Sequence, residues 1–133
     1  MKGIDHIGIA VSDLESSNKL FEDLLNTSCY KIEDIPNQKV RTSFFKMADQ
    51  KIELVAATDS SSPISKFIDK KGEGIHHIAF EVKDIRAEIK RLKKEGFKAL
   101  DDEPSIGADN KLVVFFHPKT TNGVLIELCQ EIC

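Results

Sequence analysis

The chain has 133 residues, 41% of them hydrophobic and 31% charged, with a formal net charge of −3 at pH 7. That length buries a core and that composition is globular, while the mixed charge leaves no basic footprint for nucleic acid and no polybasic membrane patch. No apolar stretch approaches membrane-spanning length, and Asp5 and His6 interrupt the one run that resembles the start of a signal peptide.

Residues 3–11 are apolar and β-branched and are expected as a strand. Ser12 stands as N-cap of the following helix, with Glu15 completing a capping box. Leu14, Phe21, Leu24 and Leu25 fall on one face of that helix, and Glu15, Lys19, Glu22 and Asp23 on the other. Residues 26–28 end it. Residues 29–35 form a strand, Pro36-Asn37 a turn, and residues 40–47 and 51–57 two more strands joined by the turn 48–50. After a polar linker, 58–62, the pair Ser62-Pro63 predicts a short helix over residues 64–70.

Lys71-Gly72-Glu73-Gly74 punctuates the chain before its second half. A strand around residues 75–82 runs to Asp84, which caps a helix with Ile85, Ile89 and Leu92 as its buried stripe and Gly96 at its end. Strands are expected at 97–100, 111–116 and 124–129, with a polar loop at 101–110 and a turn at 117–123. The order βαβββ, βαβββ predicts an α+β fold: duplicated βαβββ modules forming a cupped mixed β-sheet. A single domain is expected over 1–133, with modules at about 1–71 and 72–133. Cys29, Cys129 and Cys133 have no framework spacing, which points to reduced thiols in a cytoplasmic protein. Cys129 and Cys133 lack the second pair that a zinc site of that kind needs.

The halves also match in sequence. Ile4-Asp5-His6-Ile7-Gly8-Ile9-Ala10-Val11 and Ile75-His76-His77-Ile78-Ala79-Phe80-Glu81-Val82 align at an offset of 71 residues (77 − 6). Phe44-Phe45 and Phe115-Phe116 keep that offset, and Lys51-Ile52-Glu53-Leu54 answers Leu125-Ile126-Glu127-Leu128 at 74 (127 − 53). Each half opens with a strand bearing a His and closes with one bearing a Glu. A lone strand His is ordinarily a core or surface residue, and a lone strand Glu ordinarily faces solvent. Their recurrence at corresponding places points instead to a site built from His6, Glu53, His77 and Glu127. Two imidazoles and two carboxylates suit a divalent transition metal, and four protein ligands leave open positions for Lewis-acid catalysis. His76 lies on the opposite strand face from His77 and His117 lies in a turn, so both are expected to be structural. Lys90, Lys93, Lys94 and Lys98 make a solvated face.

These segments resemble the vicinal oxygen chelate (glyoxalase/bleomycin resistance) superfamily, and within it the methylmalonyl-CoA epimerases. The most telling stretches are Ile4–Val11, Lys51-Ile52-Glu53-Leu54, Gly72-Glu73-Gly74-Ile75-His76-His77-Ile78-Ala79-Phe80, and His117-Pro118-Lys119 with Gly123-Val124-Leu125-Ile126-Glu127-Leu128. The resemblance implies His6, His77 and Glu127 as ligands of a divalent metal (Co2+, Zn2+, Ni2+ or Mn2+), with Glu53 at a fourth position where some members have Gln. It implies interconversion of (R)- and (S)-methylmalonyl-CoA by proton abstraction beside the thioester, with Glu127 and Glu53 as the catalytic carboxylates. An acyl-CoA substrate and a homodimer follow from the same likeness. A glyoxalase I-like lactoylglutathione lyase would use the same ligands. A metal-free binding protein would need none of them, and a ring-cleaving Fe(II) dioxygenase generally uses three ligands and a longer chain. The chain departs from some bacterial epimerases at Val40-Arg41-Thr42-Ser43-Phe44, where those relatives have an acidic residue proposed as a second base. Lys39 also replaces the glycine common before that strand.

Overall fold

Each half of the chain builds the same four-stranded ladder, as seen in a computed structural model that describes residues 1–132. Packing divides the chain into two compact units, one spanning His6–His76 and the other combining Met1–Asp5 with the chain from His77 onward. The division lies near the sequence repeat but not on it: residues 1–5 group with the second module and residues 72–76 with the first.

In the first half, β1 (Gly3–Ala10) leads to α1 (Leu14–Leu25), β2 (Lys31–Ile35), β3 (Val40–Met47), β4 (Gln50–Ala57) and α2 (Pro63–Lys71). β2 pairs antiparallel with β3 and β3 with β4, and β4 pairs in parallel with β1. In the second half, β5 (Gly74–Glu81) leads to α3 (Ile85–Lys94), β6 (Ser105–Ile106), β7 (Lys111–Phe116) and β8 (Ile126–Glu131). Again β6 and β7, then β7 and β8, pair antiparallel, and β8 pairs in parallel with β5. Among the described residues, eight strands and three α-helices, with mixed pairing in both halves, give the expected α+β fold of duplicated βαβββ modules.

Each half keeps its own apolar core between ladder and helix. Leu14, Phe21 and Leu25 of α1 pack on Val11, Phe45, Leu54 and Ala56. Ile85, Ile89 and Leu92 of α3 pack on Val114, Phe116 and Leu128. The i, i+4, i+7 stripe in α3 sets that contact, because it brings three large side chains to one helix face.

The helix starts differ in one respect from the sequence expectation. Asp13, not Ser12, caps α1: its carboxylate accepts the Ser16 N–H at 3.1 Å. Asp84, at the matching position of the repeat, accepts the Ala87 N–H at the same 3.1 Å. The cap therefore falls one residue later than expected, and no box closes it: the Ser16 hydroxyl donates to the Asp13 carbonyl at 3.4 Å. The Ser12 N–H instead donates to the Glu73 carboxylate at 2.7 Å. Ser62 caps α2 as expected, accepting the Ile64 N–H.

Three further boundaries move. Residues 97–100, expected as a strand, make a single bridge between Ala99 and Phe116, and the short strand beside β7 is Ser105–Ile106 inside the expected loop. Backbone bonds from Leu100 to Phe115 (2.8 Å) and from His117 to Lys98 (2.7 Å) hold the earlier segment against the end of β7 without extending it. The last strand begins at Ile126, and residues 118–120 and 108–110 are short 3-10 turns.

Candidate active site

The parallel pairing of β1 with β4 explains why a histidine and a glutamate meet. Alternate side chains of a strand share a face, so His6 and Gly8 point the same way. Gly8 is the register partner of Glu53. His6 is thus the diagonal neighbour of Glu53 on that face, and its Nε2 lies 3.3 Å from Glu53 Oε1. β5 and β8 repeat this in the second half. Ala79 is the register partner of Glu127, and His77 Nε2 lies 3.1 Å from Glu127 Oε1. Gly8, which has no side chain, and Ala79, which has only a methyl group, stand between each imidazole and its carboxylate in the register.

A phenylalanine closes the other side of each glutamate. Phe44 is the register partner of Glu53 on β3, and Phe115 that of Glu127 on β7. The Phe115 ring meets His77 edge-on at 5.6 Å. The neighbours that point the other way, Ile9, Ile52 and Leu54 in one half and Phe80, Ile126 and Leu128 in the other, pack toward the helices. The His–Glu face is therefore the face that the helices leave free.

All four side chains are withdrawn from solvent: His6 is 6%, Glu53 5%, His77 4% and Glu127 5% exposed. Burying a carboxylate is costly unless a cation or hydrogen-bond donor meets it. Ligands about 2.1 Å from an ion lie roughly 3 Å apart when they are neighbours in octahedral or tetrahedral coordination. The 3.3 and 3.1 Å separations match that spacing, and imidazole with carboxylate is a donor set that fits a divalent cation. Each half thus offers two buried ligand atoms of the right kind at the right spacing.

The other residues singled out in the sequence lie elsewhere. His76 stacks edge-on against Phe67 at 4.9 Å. His117 caps the turn at Pro118–Thr120, its Nδ1 accepting the Lys119 N–H at 3.0 Å. Cys29 is half-buried and Cys129 fully buried, neither in a disulfide, and Cys133 lies outside the described residues. Lys93 pairs with Asp102 on the surface. Thr42, within the stretch 40–44 that carries no carboxylate, is 2% exposed; it shares a strand face with Phe44 and hence with Glu53. The buried contact between Lys111 and Asp5 at 2.7 Å escaped the sequence reading. Its only signal was a lysine heading the apolar run of β7.

A sequence profile described as the glyoxalase/bleomycin resistance protein/dioxygenase superfamily matches residues 5–115. The chain is 41% identical over 129 residues to the ethylmalonyl-CoA/methylmalonyl-CoA epimerase of Cereibacter sphaeroides, covering 96% of both chains. Among solved structures it is similar to methylmalonyl-CoA epimerase from Mycobacterium tuberculosis, at 35% identity and a TM-score of 0.94, covering 98% of this chain and 89% of that one. It is also similar to a methylmalonyl-CoA epimerase in complex with methylmalonyl-CoA and NH4+, at 32% identity and a TM-score of 0.94, covering 100% of this chain and 96% of the other.

Proposed function

Because this chain belongs to the glyoxalase/bleomycin resistance protein/dioxygenase superfamily, we propose that its two His–Glu pairs serve one reaction, the epimerisation of methylmalonyl-CoA. The observation that carries the reading is the repeated pair itself: His6 with Glu53 and His77 with Glu127, buried at matching positions of a duplicated module. The residues that would hold a divalent cation are His6, Glu53, His77 and Glu127, with Co2+, Zn2+, Ni2+ and Mn2+ as the candidate ions. When bound, the cation supplies a Lewis acid that stabilises negative charge developing on the substrate's oxygens.

The chain's own residues then account for the proton transfer. The carbon between the thioester and the free carboxylate carries the acidic proton. One carboxylate, Glu127 or Glu53, takes that proton from one face, and the electron pair it leaves delocalises onto the thioester oxygen. The other glutamate, which would be protonated and not a ligand at that stage, returns a proton to the opposite face, which inverts the centre and leaves the bases exchanged. Inversion is simplest with two bases, and each half of the chain supplies one. No carboxylate of β3 shares the face of Glu53, since Thr42 and Phe44 occupy it, so the pair is drawn from the two halves. A positioned base contributes on the order of 10²–10⁴-fold, and the remainder is electrostatic. The protein acts in the cytoplasm as a homodimer on an acyl-CoA.

The test is solvent-deuterium incorporation at that carbon, measured on Co2+-reconstituted protein with methylmalonyl-CoA, and with ethylmalonyl-CoA beside it. Exchange with inversion is expected. Metal-replete protein that leaves the acyl-CoA unexchanged but turns over the methylglyoxal–glutathione adduct would move the function to the glyoxalase reaction.

A further inference from the structure

The duplication is broken at one buried ion pair. Lys111 Nζ donates to Asp5 Oδ1 at 2.7 Å, with side chains only 7% and 8% exposed. By the repeat offset of 71, position 111 corresponds to Val40 (111 − 71) and position 5 to His76 (5 + 71). Val40 is core, and His76 stacks on Phe67, so the first half has no counterpart of this pair. A buried ion pair is a poor stabiliser, because withdrawing two charges from water offsets most of their attraction. Its presence in one copy alone therefore asks for a reason other than stability.

Its place in the chain supplies one. Asp5 is the last residue of β1 that packs with the second half, and the next residue is His6. Lys111 is held at the head of β7 by its ladder partner Glu131. The contact therefore ties the backbone next to His6 to a fixed point in the half that carries His77 and Glu127. We propose that Asp5 and Lys111 are a positioning pair, which sets where the His6 imidazole stands when it meets the cation. This rests on the functional reading above. The pair acts through the backbone of β1, so neither residue need touch the ion or the substrate.

The experiment titrates apoprotein with Co2+ by calorimetry, records the visible spectrum of bound Co2+, and measures thermal unfolding in parallel. The double variant Asp5→Leu/Lys111→Met removes both charges at similar volume, and Asp5→Glu keeps the charge while lengthening its arm. We expect both variants to unfold within about 2 °C of wild type. Both should bind Co2+ about 10–100-fold more weakly, the range of supporting residues around metal ligands, with an altered Co2+ spectrum. Turnover should fall with little change in KM. Wild-type Co2+ affinity and spectrum in Asp5→Glu, or in a folded double variant, would overturn the inference and leave the functional reading standing. Wild-type protein that takes up no Co2+ would overturn both.

Discussion

Gly8 and Ala79 define how little side chain the site accepts beside its glutamates. Each stands in register with one of them, and Ala79 shows that a methyl group fits. Gly8→Ala should keep near wild-type epimerase activity. Gly8→Leu places a branched side chain where the His6 imidazole reaches Glu53, and a misplacement of about 1 Å at a reacting group costs on the order of 10²-fold in rate. Steady-state kinetics of the two variants check this, and equal activity in both would show that the space beside Glu53 is not used. Glu127→Gln keeps the shape of the side chain and loses its basicity. Its kcat should fall at least about 10²-fold while cation uptake persists at reduced affinity. Normal turnover would remove Glu127 from the proton transfer. These residues were legible in the sequence because the repeat printed them twice. Lys111 was not, because a lysine heading a strand is ordinarily solvated and nothing local marks its distant partner.

At the scale of elements, caps and turns carry most of the local information. Before β3, Lys39 adopts φ 57°, the left-handed region where a side chain is strained and glycine is favoured. That conformation costs roughly 1–2 kcal/mol, and glycine's greater freedom in the unfolded chain returns part of it. Lys39→Gly should therefore raise stability by about 0.5–1 kcal/mol in denaturant unfolding, although it removes the Lys39 contact to Ser61 at 2.6 Å. Ser62→Ala, which leaves the first turn of α2 uncapped, should lower it by about 1 kcal/mol. The cap of α1 also has a pH dependence. Hydrogen bonding from Ser16, through its side chain and then its backbone N–H, holds the Asp13 carboxyl below its ordinary value. Its stabilisation is thus complete above the usual carboxylate range and is lost as pH falls through the lowered value. Asp13→Asn should flatten that part of the acid limb of a thermal-midpoint profile. Asp13 displaces Ser12 as the cap because it holds the position matching Asp84, which the repeat would have indicated had the helix starts been aligned as the strands were.

For the whole molecule, a bound cation links the site to folding. Anything that binds the native chain alone stabilises it, by about 2.7 kcal/mol when the free ion is at 100 times its dissociation constant. Exhaustive chelation should lower the thermal midpoint, and Co2+ or Zn2+ should restore it in proportion to the logarithm of concentration. A midpoint indifferent to chelator would argue against a resident ion. The same titration on His77→Ala should lose most of the response, since that half would keep only Glu127 as a ligand.

What the amino-acid order determined by itself was everything carried by short-range pattern and by repetition: the helix stripes, the strand alternation, the doubling of the module and the four residues it marks. Strand pairing was decided only in three dimensions. Whether His6 meets Glu53 depends on β1 lying parallel to β4 with Gly8 opposite the carboxylate, and register between strands so distant in sequence is set by packing of both ladder faces. The same holds for the expected strand at 97–100, which yielded its place beside β7 to Ser105–Ile106, and for Asp5 with Lys111. Local propensity weighs neighbours along the chain, whereas these contacts are chosen by which buried groups the closed fold can satisfy.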